Sequence, residues 1–188
     1  MPTFQESDLN FTFPDDWAVR QFDQTPAYQS LSGHGLKGVD FIAISPDGRL
    51  WLIEVKNYRP RFKAEREYRA TRRSPADLAD HVARKFSDSF RLIRIVGAHL
   101  MRSWFRRLSV WYRLRVRPNP ASNYWFWSRA NTFVPEAVVY VLWMETPERK
   151  QDYDRQTASE LAKRLPVGAV VIVTESTNPP GLPFEVSR

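Results

Sequence analysis

The chain of 188 residues contains no cysteine, only three histidines and only seven glycines. The absence of cysteine excludes disulfides, thiolate metal sites, iron–sulfur clusters and cysteine nucleophiles. The three histidines, His34, His81 and His99, are too widely spaced to predict a zinc site. The sequence also lacks a glycine-rich phosphate loop of the Walker type, so nothing in it indicates a kinase or a nucleotide-driven motor.

Long apolar runs are absent as well. The longest, residues 137–144 and 167–173, are far shorter than the ~20 residues that a helix needs to cross a bilayer. The first six residues lack the basic and apolar regions of a signal peptide. Hydrophobic residues make up 43% and charged residues 26%, which is typical of a folded domain. We therefore expect residues 1–188 to form one cytoplasmic domain that does not enter a membrane.

Positive charge is in excess, and it is unevenly distributed. The net charge is +7, yet residues 57–117 alone carry 17 Lys/Arg and 5 Asp/Glu, and the remainder of the chain is acidic. A basic stretch within an otherwise acidic chain favours a polyanionic partner such as nucleic acid. The alternative is a solvated, arginine-rich helical surface.

Two strands and a turn are predicted near the middle of the first half. Residues 39–44 and 50–56 are rich in β-branched and aromatic side chains. The intervening Ser45-Pro46-Asp47-Gly48-Arg49 has the composition of a tight turn, which predicts an antiparallel hairpin. A helix is expected to begin at Ser74, because proline follows the serine and an acid lies three residues after it.

The end of the chain predicts a βαβ unit. The apolar runs Ala137–Met144 and Val167–Thr174 have strand length, and Asp152–Leu165 between them has helical periodicity.

Two other segments are less regular. Asp15 or Asp16 is expected to cap a short helix through Phe22. The alternation of arginine with apolar residues over Val110–Arg117 predicts a strand.

The predicted hairpin brings acidic and basic side chains together. On the second strand Leu52, Glu54 and Lys56 share one face. If Ile44 lies opposite Leu50, Asp40 lies opposite Glu54, and two carboxylates and one ammonium group converge at the open end of the hairpin. Adjacent carboxylates repel each other, and a hard cation such as Mg²⁺ removes that repulsion.

These residues resemble the signature of the PD-(D/E)XK nuclease superfamily, an acid on one strand and an acid-any-Lys triplet on the next. The matching segments are Gly38-Val39-Asp40-Phe41 and Ile53-Glu54-Val55-Lys56-Asn57. The resemblance implies that Asp40 and Glu54 bind Mg²⁺ or Mn²⁺ with help from the Val55 backbone carbonyl, and that Lys56 assists the attacking water. The implied activity is metal-dependent hydrolysis of phosphodiester bonds in nucleic acid, with DNA favoured.

The resemblance also implies the fold. It is an α/β, restriction-endonuclease-like fold in which a mixed β-sheet core is flanked by helices, in the order helix, three strands, helix, strand.

Two features depart from the family pattern. Val39 precedes Asp40 where proline is common, and the additional acid that many members carry on the first helix has no single counterpart. The candidates for this additional acid are Glu6, Asp15, Asp16 and Asp23. The number of metal ions therefore stays open.

A basic, aromatic-rich insertion is expected at about residues 98–133, before the Ala137–Met144 strand. We interpret its tryptophans, at positions 104, 111, 125 and 127, as a small satellite core. Arginine neutralises phosphates, so at least some of the arginines are expected to contact nucleic acid. The candidate contacts are Lys37, Arg102, Arg106, Arg107, Arg113, Arg115 and Arg117.

Three further residues are considered beside the acid–acid–lysine set. His34 lies in the glycine-rich approach to the first strand, where a histidine is most often incidental. His81 and Lys85 are spaced i, i+4 on the predicted helix, and we favour a solvated face for both over a place in the site.

The nuclease hypothesis has two alternatives on the same fold. One is a catalytically inactive nucleic-acid-binding module, whose binding would depend on salt but not on metal. The other is a protein-interaction module that presents its basic stretch to an acidic partner. A homodimer is compatible with the nuclease hypothesis, because a small domain that cuts duplex DNA often acts as a pair.

Overall fold

The computed structural model describes residues 1–31, 33, 35–63, 66–68, 71–146, 152–175 and 181–188. The strands in chain order are β1 (Thr3–Glu6), β2 (Leu9–Thr12), β3 (Ala18–Gln21), β4 (Phe41–Ile44), β5 (Leu50–Asn57), β6 (Arg61–Lys63), β7 (Arg66–Tyr68), β8 (Val138–Glu145), β9 (Val170–Glu175) and β10 (Glu185–Ser187). The helices are α1 (Pro26–Leu31), α2 (Pro75–Leu100), α3 (Trp104–Arg115), α4 (Asn123–Ala130) and α5 (Tyr153–Ala162). The expected α/β class is confirmed.

The central layer is a five-stranded mixed sheet with the order β3-β4-β5-β8-β9. Its first three strands are antiparallel neighbours, and β5, β8 and β9 run parallel. A second, antiparallel sheet has the order β1-β2-β10, and β6 and β7 form a separate two-stranded ribbon. Parallel neighbours need a crossover, which the chain makes through α2, α3 and α4 between β5 and β8 and through α5 between β8 and β9.

The predicted hairpin and its register are confirmed. Ile44 pairs with Leu50 and Phe41 pairs with Ile53, so each pair of numbers adds to 94 as expected. The turn between the strands contains Gly48 at φ 78°, a conformation that glycine adopts without steric cost. The predicted βαβ unit is also confirmed, with α5 shorter than expected at both ends.

Helix α2 begins where the sequence predicted. Ser74 is its N-cap, and the Ser74 hydroxyl accepts a hydrogen bond from the Asp77 backbone N–H at 3.2 Å. Leu78, Val82 and Phe86 form a fully buried stripe along one side. The helix continues through Gly97 and ends at Leu100.

Two clusters of buried side chains fill the space on either side of the central sheet. One lies between the sheet and the helices, and Leu52, Phe86 and Leu142 belong to it. The other lies between the sheet and the small β1-β2-β10 sheet, and Phe11 and Ile53 belong to it. Adjacent residues of β5 therefore point into different layers, which is why even-numbered β5 residues face α2.

Two predicted elements are wrong. The segment expected to form a helix after Asp15 forms β3, because Ala18 and Val19 are buried and the strand gains its hydrogen-bonding partner from β4. The segment Val110–Arg117, expected as a strand, lies largely in α3. Val110 and Leu114 are four residues apart and face inward, so the helical period prevails over the alternation.

Within the described residues, no helix is both long enough and apolar enough to cross a bilayer.

Candidate functional site

Asp40 and Glu54 come together at the open end of the β4–β5 hairpin. Asp40 directly precedes β4, and its backbone N–H donates to the Ile53 carbonyl at 3.1 Å. Its carboxylate Oδ2 accepts a hydrogen bond from the Val55 backbone N–H at 2.6 Å. The Asp40 side chain thus crosses to the neighbouring strand beside the acid-any-Lys triplet, as the register predicted.

Glu54 is fully buried and faces α2. Its carboxylate forms an ion pair with Lys56, two residues further along the strand. A second ammonium group, that of Lys85 on α2, lies 2.8 Å from Oε1 and 2.9 Å from Oε2 of the same carboxylate. A buried carboxylate is costly without compensation, and the two lysines provide it.

Lys85 belongs to this site, and the prediction of a solvated face for it is wrong. Its ammonium group also lies 3.9 Å from Asp40 Oδ1, so it touches both carboxylates. Burial by itself lowers the pKa of Lys85, but the charges of Glu54 and Asp40 and the hydrogen bond to Glu54 outweigh burial and raise it. Lys85 is therefore held in its charged form.

The Asp40 carboxyl has an unusual affinity for protons. Burial, and then the negative charge of Glu54, raise its pKa to about 7, against the opposing effects of Lys85 and the Val55 hydrogen bond. Glu6, on β1, contributes in the same direction, and among the four candidate additional acids it is the one that acts on Asp40. Burial first, and the neighbouring carboxylates second, thus favour the neutral form of Asp40 in the metal-free protein.

A buried serine, which the sequence analysis missed, holds the loop before Asp40 against α2. The Ser89 hydroxyl accepts a hydrogen bond from the Val39 backbone N–H at 2.9 Å and donates to the Lys85 carbonyl at 2.8 Å. On the other side, the Phe22 backbone N–H donates to the Asp40 carbonyl at 2.8 Å. These contacts fix the backbone of Asp40 relative to both the helix and β3.

His81 lies next to the site rather than within it. Its pKa is lowered, first by burial and then by the positive charge of Lys56 and of Arg73, which favours the neutral imidazole. An open cleft of about 330 Å³ beside it is lined by Arg73, Asp77, Asp80, His81 and Arg84. The cleft combines two guanidinium groups, an imidazole and two carboxylates, and His81 lies one helical turn before Lys85. His34 lies outside the described residues.

The donor set fits a hard divalent cation. Two carboxylates and a backbone carbonyl are the oxygen ligands that Mg²⁺ prefers. Burial and the charge of Glu54 disfavour the ionised form of Asp40 and raise its pKa, and a bound cation would favour the ionised form. The described residues contain no group of three or more His, Asp or Glu side chains placed to hold a metal ion. A metal at this position would therefore complete its coordination with water or with substrate oxygens.

The other predicted contacts lie in two places. Lys37 is exposed on the loop before Asp40, and its backbone N–H donates to Asp88 Oδ2 at 3.2 Å. The six arginines lie on α3 or within two residues of its ends, and all are exposed.

The tryptophans of the insertion do not form one satellite core. Trp127 is buried and Trp125 is partly buried, but both pack in the main core and not in a separate one. Trp104 and Trp111 are 63% and 56% exposed, so the interpretation of the four as a satellite core is wrong.

Comparisons of the chain with protein-family models, with curated proteins and with solved structures find no match.

Proposed function

We propose that the protein is a metal-dependent nuclease that hydrolyses phosphodiester bonds in nucleic acid, with DNA favoured. The observation that carries the proposal is the convergence of Asp40, Glu54 and Lys56 at one end of the sheet. Two acids and a lysine there suit a reaction in which a water attacks a phosphate and negative charge grows on its oxygens.

The topology around the site supports the same proposal. Strands β3, β4 and β5 are antiparallel neighbours, α2 follows them, and β8 then pairs parallel to β5. The resemblance implies the order helix, three strands, helix, strand. The last five of these elements match, but among the described residues no helix precedes β3, and α1 lies between β3 and β4 instead. We place the restriction-endonuclease-like core in these five elements, with α3 and α4 inserted before β8.

The residues have separate proposed roles. Asp40, Glu54 and the Val55 carbonyl would hold Mg²⁺ or Mn²⁺, which when bound supplies an acidified water and counter-charge for the phosphate. Lys56 is the more exposed of the two lysines, with 23% of its side chain accessible, and it orients the water or stabilises the developing oxyanion. Lys85 is a positioning residue that pairs with the Glu54 carboxylate and holds it beside Asp40.

The test is cleavage of single-stranded and double-stranded DNA and RNA by the purified chain. Cleavage is expected in Mg²⁺ or Mn²⁺ and not in EDTA. Asp40→Asn and Lys56→Met are expected to lower the rate at least about 100-fold. Asp47→Asn is the matched control, because Asp47 is exposed on the same hairpin at its closed end. Cleavage that survives both site substitutions would refute the proposal.

A second candidate function is favoured by one observation. Both oxygens of Glu54 are paired with lysine ammonium groups, so its charge is compensated without a metal. This arrangement suits a catalytically inactive nucleic-acid-binding module. Such a module would bind nucleic acid equally in EDTA and Mg²⁺, and Glu54→Gln would leave binding unchanged. The nuclease instead requires cleavage in Mg²⁺ that Glu54→Gln abolishes while the circular dichroism spectrum is retained.

A further inference from the structure

Helix α3 presents an uncovered aromatic surface. Five of its large apolar side chains are exposed, by 46% to 66%: Trp104, Phe105, Leu108, Trp111 and Tyr112. The opposite side, with the buried Val110, contacts the rest of the fold through α2 and α4. Five neighbouring exposed rings and aliphatic groups exceed the scattered exposure that an ordinary surface shows.

Positive charge without a matching negative charge surrounds this surface. Residues 89–135 contain nine arginines and no aspartate or glutamate. In the described part of the chain, none of the six arginines at positions 102–117 forms an ion pair with a carboxylate. The surface therefore complements a polyanion.

Aromatic and cationic side chains are interleaved rather than separated. The rings of Trp104 and Phe105 stack with centroids 3.5 Å apart and planes 29° apart. Arg115 lies four residues after Trp111 and three after Tyr112, so it shares their side of the helix. A helix that inserts into a lipid surface keeps its cations on the opposite face. Interleaving instead suits a ligand that alternates flat bases with phosphates.

A cleft at the end of α3 adds a site of nucleotide size. Its volume is about 320 Å³, and it is lined by Ser109, Tyr112, Arg113, Arg117 and Asn119. Arg113 is held in place over the Tyr124 ring, 5.0 Å from the ring centroid. One ring, two guanidinium groups and two neutral polar side chains can bind the base and phosphate of one nucleotide.

We infer that the α3 surface, formed by α3 and this cleft, binds single-stranded nucleic acid. Trp104, Trp111 and Tyr112 stack on bases, and Arg115 and Arg117 contact phosphates. Unpaired strands are favoured over duplexes because a ring can stack only on a base face that no neighbouring base covers. The inference that the bound strand is the substrate rests on the proposed nuclease function. The inference that the α3 surface binds single strands does not depend on that function.

Helix α2 connects the candidate catalytic site to the α3 surface, so its length sets the distance between them. Lys85 and Leu100 lie 15 residues apart on this helix, so the α3 surface begins about 22 Å along the axis from the carboxylates. At the ~3.4 Å spacing of stacked nucleotides, that distance corresponds to about six nucleotides. A strand bound on α3 thus has to be longer than this to reach the site.

The experiment measures binding of a fluorescein-labelled 20-nucleotide single strand and of the corresponding duplex, in EDTA so that no cleavage occurs. Wild type is expected to prefer the single strand and to show quenched tryptophan fluorescence. Trp111→Ala and Arg115→Gln are each expected to weaken binding, by roughly 5- to 100-fold for the loss of a stacked ring. The matched controls are Val167→Ala, at a side chain 96% exposed, and Arg155→Gln, at a side chain 84% exposed.

Four outcomes would overturn the inference. These are equal affinity for duplex and single strand, no effect of Trp111→Ala, binding of phosphatidylserine vesicles in place of DNA, and dimerisation that Trp111→Ala abolishes. Failure of the nuclease proposal is distinguishable, because strand binding in EDTA would persist while cleavage in Mg²⁺ was absent. If wild type cleaved duplex DNA in a metal-dependent way but did not bind the single strand, the inference about the α3 surface alone would be refuted.

Discussion

The ammonium group of Lys85 on α2 contacts both oxygens of Glu54 on β5, at 2.8 and 2.9 Å. This contact joins the long helix to the strand that carries the acid-any-Lys triplet. It also neutralises a carboxylate that is fully buried, where an unpaired charge is costly. Lys85 therefore stabilises the fold and positions the proposed catalytic acid at once.

Substitution of Lys85 tests this dual role. Lys85→Met is expected to lower the free energy of unfolding by about 3 kcal/mol, since the buried Glu54 keeps only one of its two cations. Lys163→Met is the matched control, because Lys163 directly follows α5 and is exposed, so its pair with the partly exposed Glu160 is expected to matter much less. Urea unfolding of both variants measures the free energy of unfolding. Equally small decreases in the two variants would contradict the role of Lys85.

Substitution of Asp40 is expected to stabilise the metal-free protein. The folded carboxyl has its pKa raised to about 7 from an ordinary 3.8, so ionisation at pH 8 opposes folding. Asp40→Asn removes that charge and can keep the acceptor for the Val55 N–H. An increase of up to about 4 kcal/mol in the free energy of unfolding is expected at pH 8 in EDTA. A variant that is only as stable as wild type, or less stable, would contradict this expectation.

The same raised pKa fixes the direction of a pH dependence. Between about pH 4 and pH 7 the folded state binds the Asp40 proton and the unfolded state does not. The contribution of this carboxyl to stability therefore falls as the pH rises through that window and is constant above it. The stability difference between Asp40→Asn and wild type should grow over the same range, as thermal unfolding in EDTA will test. A difference independent of pH would rule out this titration.

The buried hydroxyl of Ser89 offers a third test. Ser89→Ala leaves the Val39 N–H without its acceptor, and a loss of about 1–3 kcal/mol is expected. Ser128→Ala is the control, because its buried hydroxyl likewise donates to the carbonyl four residues earlier but, among the described residues, accepts no backbone N–H. Chemical denaturation of both variants measures the difference. A loss at Ser128 as large as at Ser89 would remove the argument that Ser89 anchors the loop before Asp40.

Local patterns sufficed to predict the hairpin, its register and the acid pair. Alternation along 50–56 and the turn at Gly48 depend only on neighbouring residues, and once the register is set Asp40 must lie beside Glu54. Lys85 and Ser89 were not predicted as part of the site because their roles depend on the rotation of α2 against the sheet. Their positions beside the buried Val82 and Phe86 were the available signal.

The failures elsewhere have physical causes as well. The segment after Asp15 carries a helix-like cap, yet pairing with β4 determines that it is a strand. In α3 the alternation of arginine with apolar residues predicted a strand, while the cap at Ser103, which accepts from the Arg106 N–H, indicates a helix. Trp104 and Trp111 were expected to belong to a satellite core, and their exposure became visible only once α3 was placed.

The most direct test of the proposed catalytic site is the rate at which the purified chain cleaves labelled single-stranded and double-stranded DNA in Mn²⁺. Wild type and Lys163→Met are expected to cleave at similar rates, because Lys163, which directly follows α5, is exposed. Lys56→Met is expected to be at least about 100-fold slower while its circular dichroism spectrum remains that of wild type. Equal rates for Lys56→Met and wild type, or no cleavage by any of the three proteins, would contradict the account.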